Sequence, residues 1–174
     1  VRVETYFEAI DHLVGRGYTV VRIGDATMAP VSRPGVVDLA SLPTPAQALE
    51  ILCLLRSRFL MCSEAGPVGV AYLTDTPTLT VNATDPVSSF PVRAHGLYLL
   101  KRVVEVESGR RLSVSDLLTV DYLEHVRNTR RHRYLDNTSG EILAAVAEME
   151  EGLEGGWRDT LGQIEYRDRL TQVS

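Results

Sequence analysis

The chain has 174 residues, 44% of them hydrophobic, and a net charge of −5. That length suits one full-sized domain with a substantial core, which excludes wholesale disorder. The acidic balance argues against a general nucleic-acid binder, and no apolar run approaches the roughly 18 residues of a membrane span.

In chain order, Tyr6, Phe7, Ile10, Leu13 and Val14 recur at helical spacing, so residues 3–15 read as a helix with one buried face, ended by Gly15 and Gly17. The opening VRVETYFEAI is amphipathic and lacks the basic-then-apolar order of a signal peptide. Residues 18–23 are β-branched and read as a buried strand, closed by Gly24-Asp25. A polar loop leads to Val36–Leu39, a short strand or an extended segment. Thr44 suits an N-cap, with Pro45 at the first helical position and Gln47 three residues after the cap. The helix runs to about Arg56, and the spacing of Ala48, Ile51, Leu52 and Leu55 predicts that they face inward.

Residues 58–82, RFLMCSEAGPVGVAYLTDTPTLTVN, organise the rest. Phe59–Cys62 reads as a strand, Ser63–Pro67 as a small polar turn, Val68–Leu73 as a helix and Thr78–Val81 as a second strand. In such a βαβ unit the first turn leaves N–H groups available to an anionic ligand, outside the carboxyl ends of the strands. A loop with Pro86 and Pro91 follows. Residues 98–104 read as a short extended segment, and Ser113 caps a short helix, 114–119, with Asp116 in its first turn. EHVRNTRRHRY, 124–134, is the concentrated basic segment. It reads as a solvated connection, with a phosphate or acidic-partner patch as the minority reading. Asn137 or Thr138 caps a strong helix whose stripe is Ile142, Val146 and Met149. Gly152–Gly156 breaks it before a last amphipathic helix, 157–170, with Trp157, Leu161, Ile164 and Leu170 inward. Alternating helices and strands predict a single three-layer, Rossmann-like α/β domain over 1–174 with a mainly parallel sheet; 154–174 is a C-terminal helix packing on or extending from it.

Four fragments, in order, carry a resemblance: YFEAIDHLVGRGYTVVRIGD, RFLMCSEAGPVGVAYLTDTPTLTVN, LLKRVVEVESGRRLSVSDLL and LDNTSGEILAAVAEMEEGL. The chain resembles the C-terminal half of a bacterial family of GT-B type glycosyltransferases from surface-polysaccharide and modification clusters. The resemblance implies a Rossmann-like half that binds a nucleotide-sugar, with the active site in a cleft against an N-terminal acceptor half. This sequence opens directly on the helix before VVRIGD, so the acceptor half is expected from an N-terminal segment or a partner chain. The family turn is closer to Ser-Gly-Pro; here it is Ser63-Glu64-Ala65-Gly66-Pro67.

On that reading Ser63, Ala65 and Gly66 hold the donor phosphate or ribose, against the alternative of an ordinary cap and turn. Glu64 is unfavourable beside a diphosphate and is expected to bond a ribose or sugar hydroxyl, or else to face solvent. Arg22 and Asp25 lie at the carboxyl end of the first strand; Arg22 either neutralises a diphosphate or pairs with a carboxylate. Asn82 touches a sugar or base, or simply ends its strand. Lys101, with Arg102, serves the diphosphate or is solvated. His95 is the histidine to consider for acid–base work.

Serine-triad, HExxH, CxxC and Walker patterns are lacking, and no metal or other cofactor is expected. Cys53 and Cys62 read as reduced thiols of a cytoplasmic protein. The first functional reading is a glycosyltransferase donor domain; the alternative is a non-catalytic α/β binding or assembly module. A stand-alone nucleotide-sugar enzyme lacks a catalytic carboxylate set. Self-association stays open.

Overall fold

A computed structural model describes residues 2–25, 27–42, 47–87 and 95–173. Its elements follow the alternation expected of an α/β chain. A 3-10 turn, Val3–Tyr6, leads into α1 (Phe7–Gly15); β1 (Val20–Arg22) and β2 (Val36–Asp38) follow, then α2 (Gln47–Arg56), β3 (Leu60–Cys62), α3 (Pro67–Leu73) and β4 (Thr78–Ala83). Beyond these come β5 (Gly96–Leu100), β6 (Arg102–Glu105), α4 (Val114–Leu117), α5 (Val120–Glu124), β7 (His132–Leu135), α6 (Ser139–Glu151) and α7 (Leu161–Val173). The expected cap at Thr44-Pro45 and part of the loop after β4 lie outside the described residues.

The strands pair mainly in parallel. β1 pairs β2, with Arg22 opposite Asp38, and β3, β4 and β5 form a three-stranded parallel sheet in that order. Every residue of β4 is buried, as befits a central strand covered on both faces. Leu79 and Val81 on one face join Ala9 and Leu13 of α1 and Ile142, Ala145, Val146 and Met149 of α6 in the main core. Thr78 and Thr80 face the other way and are equally buried. α2 and α3 pack against each other, and α3 packs against β3. Tyr18 and Phe59, just before β1 and β3, meet edge to face at 6.4 Å and bring the two parallel units to the same core. The fold is thus mixed α/β and compatible with a Rossmann-like arrangement. Among the described residues no helix is long and apolar enough to cross a membrane.

Local chemistry explains several boundaries. Gly35 has φ +72°, and a Cβ there would meet Val14 at 2.6 Å, so only glycine lets this loop pass under α1. α4 starts on a capping box between Ser113 and Asp116, whose carboxyl is held down at about 2 by bonds from the Ser113 backbone, Arg110 and the Ser113 hydroxyl. α6 starts on a second box, Thr138 with Glu141.

Four expectations change. The basic segment 124–134 does not remain a connection: its end becomes β7, paired antiparallel to β6, with Arg102 opposite Leu135 and Glu105 opposite His132. The single extended segment expected at 98–104 is two strands, and around β6 and β7 a second cluster forms from Val103, Leu112, Leu117 and Tyr122. In α7, Leu161 is 86% exposed, and Tyr166 instead turns in to bond the Pro86 carbonyl. In α2 only Leu54 is buried; Ile51, Leu52 and Leu55 point to solvent.

Candidate functional site

The carboxyl ends of β3 and β4 are joined through one carboxylate. Glu64 Oε2 accepts from the Thr84 N–H at 3.0 Å and from the Thr84 hydroxyl at 2.6 Å. Its Oε1 accepts from the Asp85 N–H at 3.0 Å and lies 3.1 Å from the Tyr98 hydroxyl. Burial alone pushes the Glu64 carboxyl up, but the bonds from Thr84, Asp85 and Tyr98 outweigh it and hold it below the ordinary carboxylate value. Glu64 therefore stays ionised and ties the turn after β3 to the loop after β4. Both oxygens of its carboxylate are engaged within the protein, and the side chain is 10% exposed.

The β6–β7 unit closes on the same point. The Tyr122 hydroxyl donates to the Thr84 carbonyl at 3.0 Å, and burial pushes that phenol up. Arg127, in the turn before β7, has φ +65° and donates its N–H to the Tyr134 hydroxyl at 2.7 Å. Its guanidinium reaches back to Thr84 Oγ1 at 3.2 Å and to Glu64 Oε2 at 3.3 Å. The side chain is nonetheless 63% exposed, so its remaining N–H donors face solvent above the edge. The Ser63 hydroxyl and the N–H groups of Ala65 and Gly66 make no hydrogen bond among the described residues.

The remaining expected residues are engaged elsewhere in the fold. Arg22 donates to both Asp38 oxygens, at 2.9 and 2.8 Å, and the same carboxylate accepts the Val31 N–H at 2.8 Å. This half-buried pair closes the β1–β2 ladder. Arg22 thus pairs with a carboxylate, and that carboxylate is Asp38; Asp25 accepts the N–H and hydroxyl of Thr27, which hold its carboxyl down. Lys101 pairs with Asp136 at 2.6 Å.

Asn82 is buried, with φ +57°, and is locked to Asn137. Each residue's N–H donates to the other's side-chain oxygen, at 2.6 and 2.7 Å. Asn137 Nδ2 then donates to the Leu100 carbonyl at 3.0 Å, and Asn82 Nδ2 to the Tyr6 hydroxyl at 3.3 Å. This latch ends β4 and positions the start of α6. His95 lies apart from all of these. Its carbonyl accepts the Thr78 N–H at the amino ends of β4 and β5, and its exposed ring sits 6.4 Å from Trp157.

Sequence reading passes over Thr84 and Tyr98, takes Asn137 only as a helix cap and takes Arg127 only as part of the basic segment 124–134. The run NATDP, 82–86, which closes β4 and opens the loop after it, is the one signal that points to Thr84. A groove of about 860 Å³ runs beside β5, α6 and α7, lined by Tyr98, Lys101, Arg102, Arg111, Trp157 and Tyr166 among others; it follows the whole of β5 and continues past its carboxyl end. Among the described residues no three His, Cys, Asp or Glu side chains are placed to hold a metal ion. Comparison with protein-family models, curated proteins and solved structures finds no match.

Proposed function

We propose that this chain is the donor-side domain of a glycosyltransferase-like protein and binds a nucleotide-sugar at the carboxyl edge of β3 and β4. The observation that carries the reading is the exposed Arg127 guanidinium, which bonds Thr84 and Glu64, the latter a member of the same turn as Ser63, Ala65 and Gly66. A fixed cation next to unengaged donors suits a diphosphate, which needs bidentate charge and directional hydrogen bonds.

In this reading Arg127 stabilises the negative charge that builds on the departing nucleoside diphosphate, while Ser63 and the turn N–H groups orient it. Glu64 is a positioning residue: it holds Arg127 and the turn in register. The acceptor-activating base comes from an acceptor half, in the same protein or on a partner chain. A cytoplasmic setting goes with the reading, and both cysteines are unpaired.

One observation favours the alternative, a binding or assembly module without turnover. Arg22, Glu64 and Lys101, three charged residues expected to contact the ligand, are all committed to internal partners. Calorimetric titration with UDP-, GDP-, dTDP- and CMP-sugars decides between binding and none. Binding of one of them, weakened about tenfold by Arg127→Ala (about 1.4 kcal/mol) and also by Ser63→Ala, supports the donor site. Absence of heat at millimolar ligand removes it and leaves the module.

A further inference from the structure

The groove beside β5 is apolar along the strand and cationic past its carboxyl end. Leu97, Leu99, Trp157 and the rings of Tyr98 and Tyr166 line it. Both tyrosines direct their hydroxyls to the loop after β4, Tyr98 to the Asp85 carbonyl and Tyr166 to the Pro86 carbonyl, so the groove meets their rings. Trp157 stands by His95, at the amino end of β5. Lys101, Arg102 and Arg111 mark the other end, about 16 Å of strand away. The charges there are unequally satisfied. Glu141 accepts the Thr138 N–H and hydroxyl, Glu148 accepts from Gln163, Asp159 pairs with Arg167 and Lys101 with Asp136. Arg102 and Arg111, by contrast, make no side-chain hydrogen bond among the described residues; Arg102 Nε is buried without a partner, 3.8 Å from Glu141. The strand register brings the two together. Val104 lies opposite both Arg133 and Arg111, so these two and Arg102 share one face of the β6–β7 pair. The other face carries Val103, Leu112 and Tyr134, packed with the Tyr122 that closes on Thr84.

We propose that this groove binds an organic phosphate: a phosphate monoester held by Arg102 and Arg111, with a long apolar chain lying along β5 toward Trp157. Three arginines against the one carboxylate of Glu141 leave two positive charges in excess, which matches a phosphate dianion. A guanidinium fork matches phosphate oxygens, and a half-buried guanidinium without hydrogen bonds is stabilised by gaining an acceptor. A groove of about 860 Å³ with leucine and aromatic walls exceeds what phosphate alone would fill, so the ligand brings an apolar body. The site is separate from the edge that carries Arg127, which lies on the opposite face of the β6–β7 pair, and it does not rest on nucleotide-sugar binding.

Trp157 is the chain's one tryptophan, so its fluorescence reports on the groove directly. Titration with decyl phosphate below its micelle concentration should shift the emission to the blue and saturate. Inorganic phosphate should reverse the shift, and decanol should bind at least about tenfold more weakly. Arg111→Gln, at an exposed position, and Arg102→Gln should each weaken decyl phosphate about tenfold. Arg133→Gln, outside the groove lining, and Arg127→Ala should change it by less than about twofold. Phosphatidylcholine vesicles carrying phosphatidic acid identify the source of the phosphate. A shift that Arg111→Gln removes assigns a lipid headgroup; binding of decyl phosphate but not of the vesicles assigns a soluble ester. The absence of a saturable shift with decyl phosphate overturns the proposal, as does equal binding of decanol. So does an affinity that Arg102→Gln and Arg111→Gln both leave unchanged. An equal loss with Arg133→Gln would mean diffuse charge attraction, and a loss with Arg127→Ala would put the ligand at the other edge; either also overturns it.

Discussion

Helices α2 and α6 carry the same apolar template and meet opposite fates. In α6 the positions are Ile142, Ala145, Val146 and Met149, and three of the four are fully buried against α1, β4 and β5. In α2 they are Ala48, Ile51, Leu52 and Leu55, all open to solvent. The stripe specifies that a helix has a face to be covered. It does not specify what covers it. α6 is seated by more than its stripe: the Thr138–Glu141 capping box sets its first turn, and the Asn82–Asn137 latch ties that turn to the end of β4. α2 meets its own fold through Leu54 and through Glu50, whose carboxylate accepts the Gly24 N–H at 3.4 Å.

Substitutions graded along this contrast separate the two faces. Ile142→Ala should have the largest effect, costing about 3–4 kcal/mol in denaturant unfolding through a cavity beside Val81 and Val146. Asn137→Ala should cost about 2–3 kcal/mol, since it strands the Asn82 N–H and the Leu100 carbonyl inside the protein. A loss below about 1 kcal/mol would mean that the stripe alone seats α6.

Glu64→Gln should cost about 2 kcal/mol near neutral pH, because four bonds to an ionised acceptor are weakened. The pH dependence has a definite sign. The folded carboxyl titrates below its ordinary value of 4.5, so its stabilisation is complete above that pH and is lost as pH falls through the lower folded value. Thermal melts of Glu64→Gln and wild type should converge as the pH is lowered through this window; a constant gap would place the cause elsewhere. Thr138→Ala should cost about 1 kcal/mol. Leu52→Ala should be smallest, within about 0.5 kcal/mol. A cost near that of Ile142→Ala would mean that α2 is covered within the chain.

Much of the architecture was legible because its signals are local. Gly15 and Gly17 end α1; Ser113 and Thr138 cap α4 and α6 as their side chains predict. The βαβ unit over 58–82 forms with α3 between β3 and β4. The carboxyl edge could also be read, since the turn 63–66 lies where a parallel sheet places it. The chemistry at that edge was less legible. Glu64 looked like a ligand-facing carboxylate because its partners, Thr84, Asp85 and Tyr98, come from later strands. Arg127 looked solvated because its run of charges carries no mark of the strand that follows.

The sequence by itself determined the punctuation of helices and strands, the caps and the presence of two apolar stripes, because these depend on contacts within a few residues. The tertiary structure decided which stripe is buried, that β7 turns back on β6, and that Arg22 and Lys101 go to Asp38 and Asp136. It also decided that the Arg127 guanidinium reaches the end of β3. These choices rest on pairings between distant segments. A charge finds its partner through the fold that brings the two together, and residue type alone does not encode that distance.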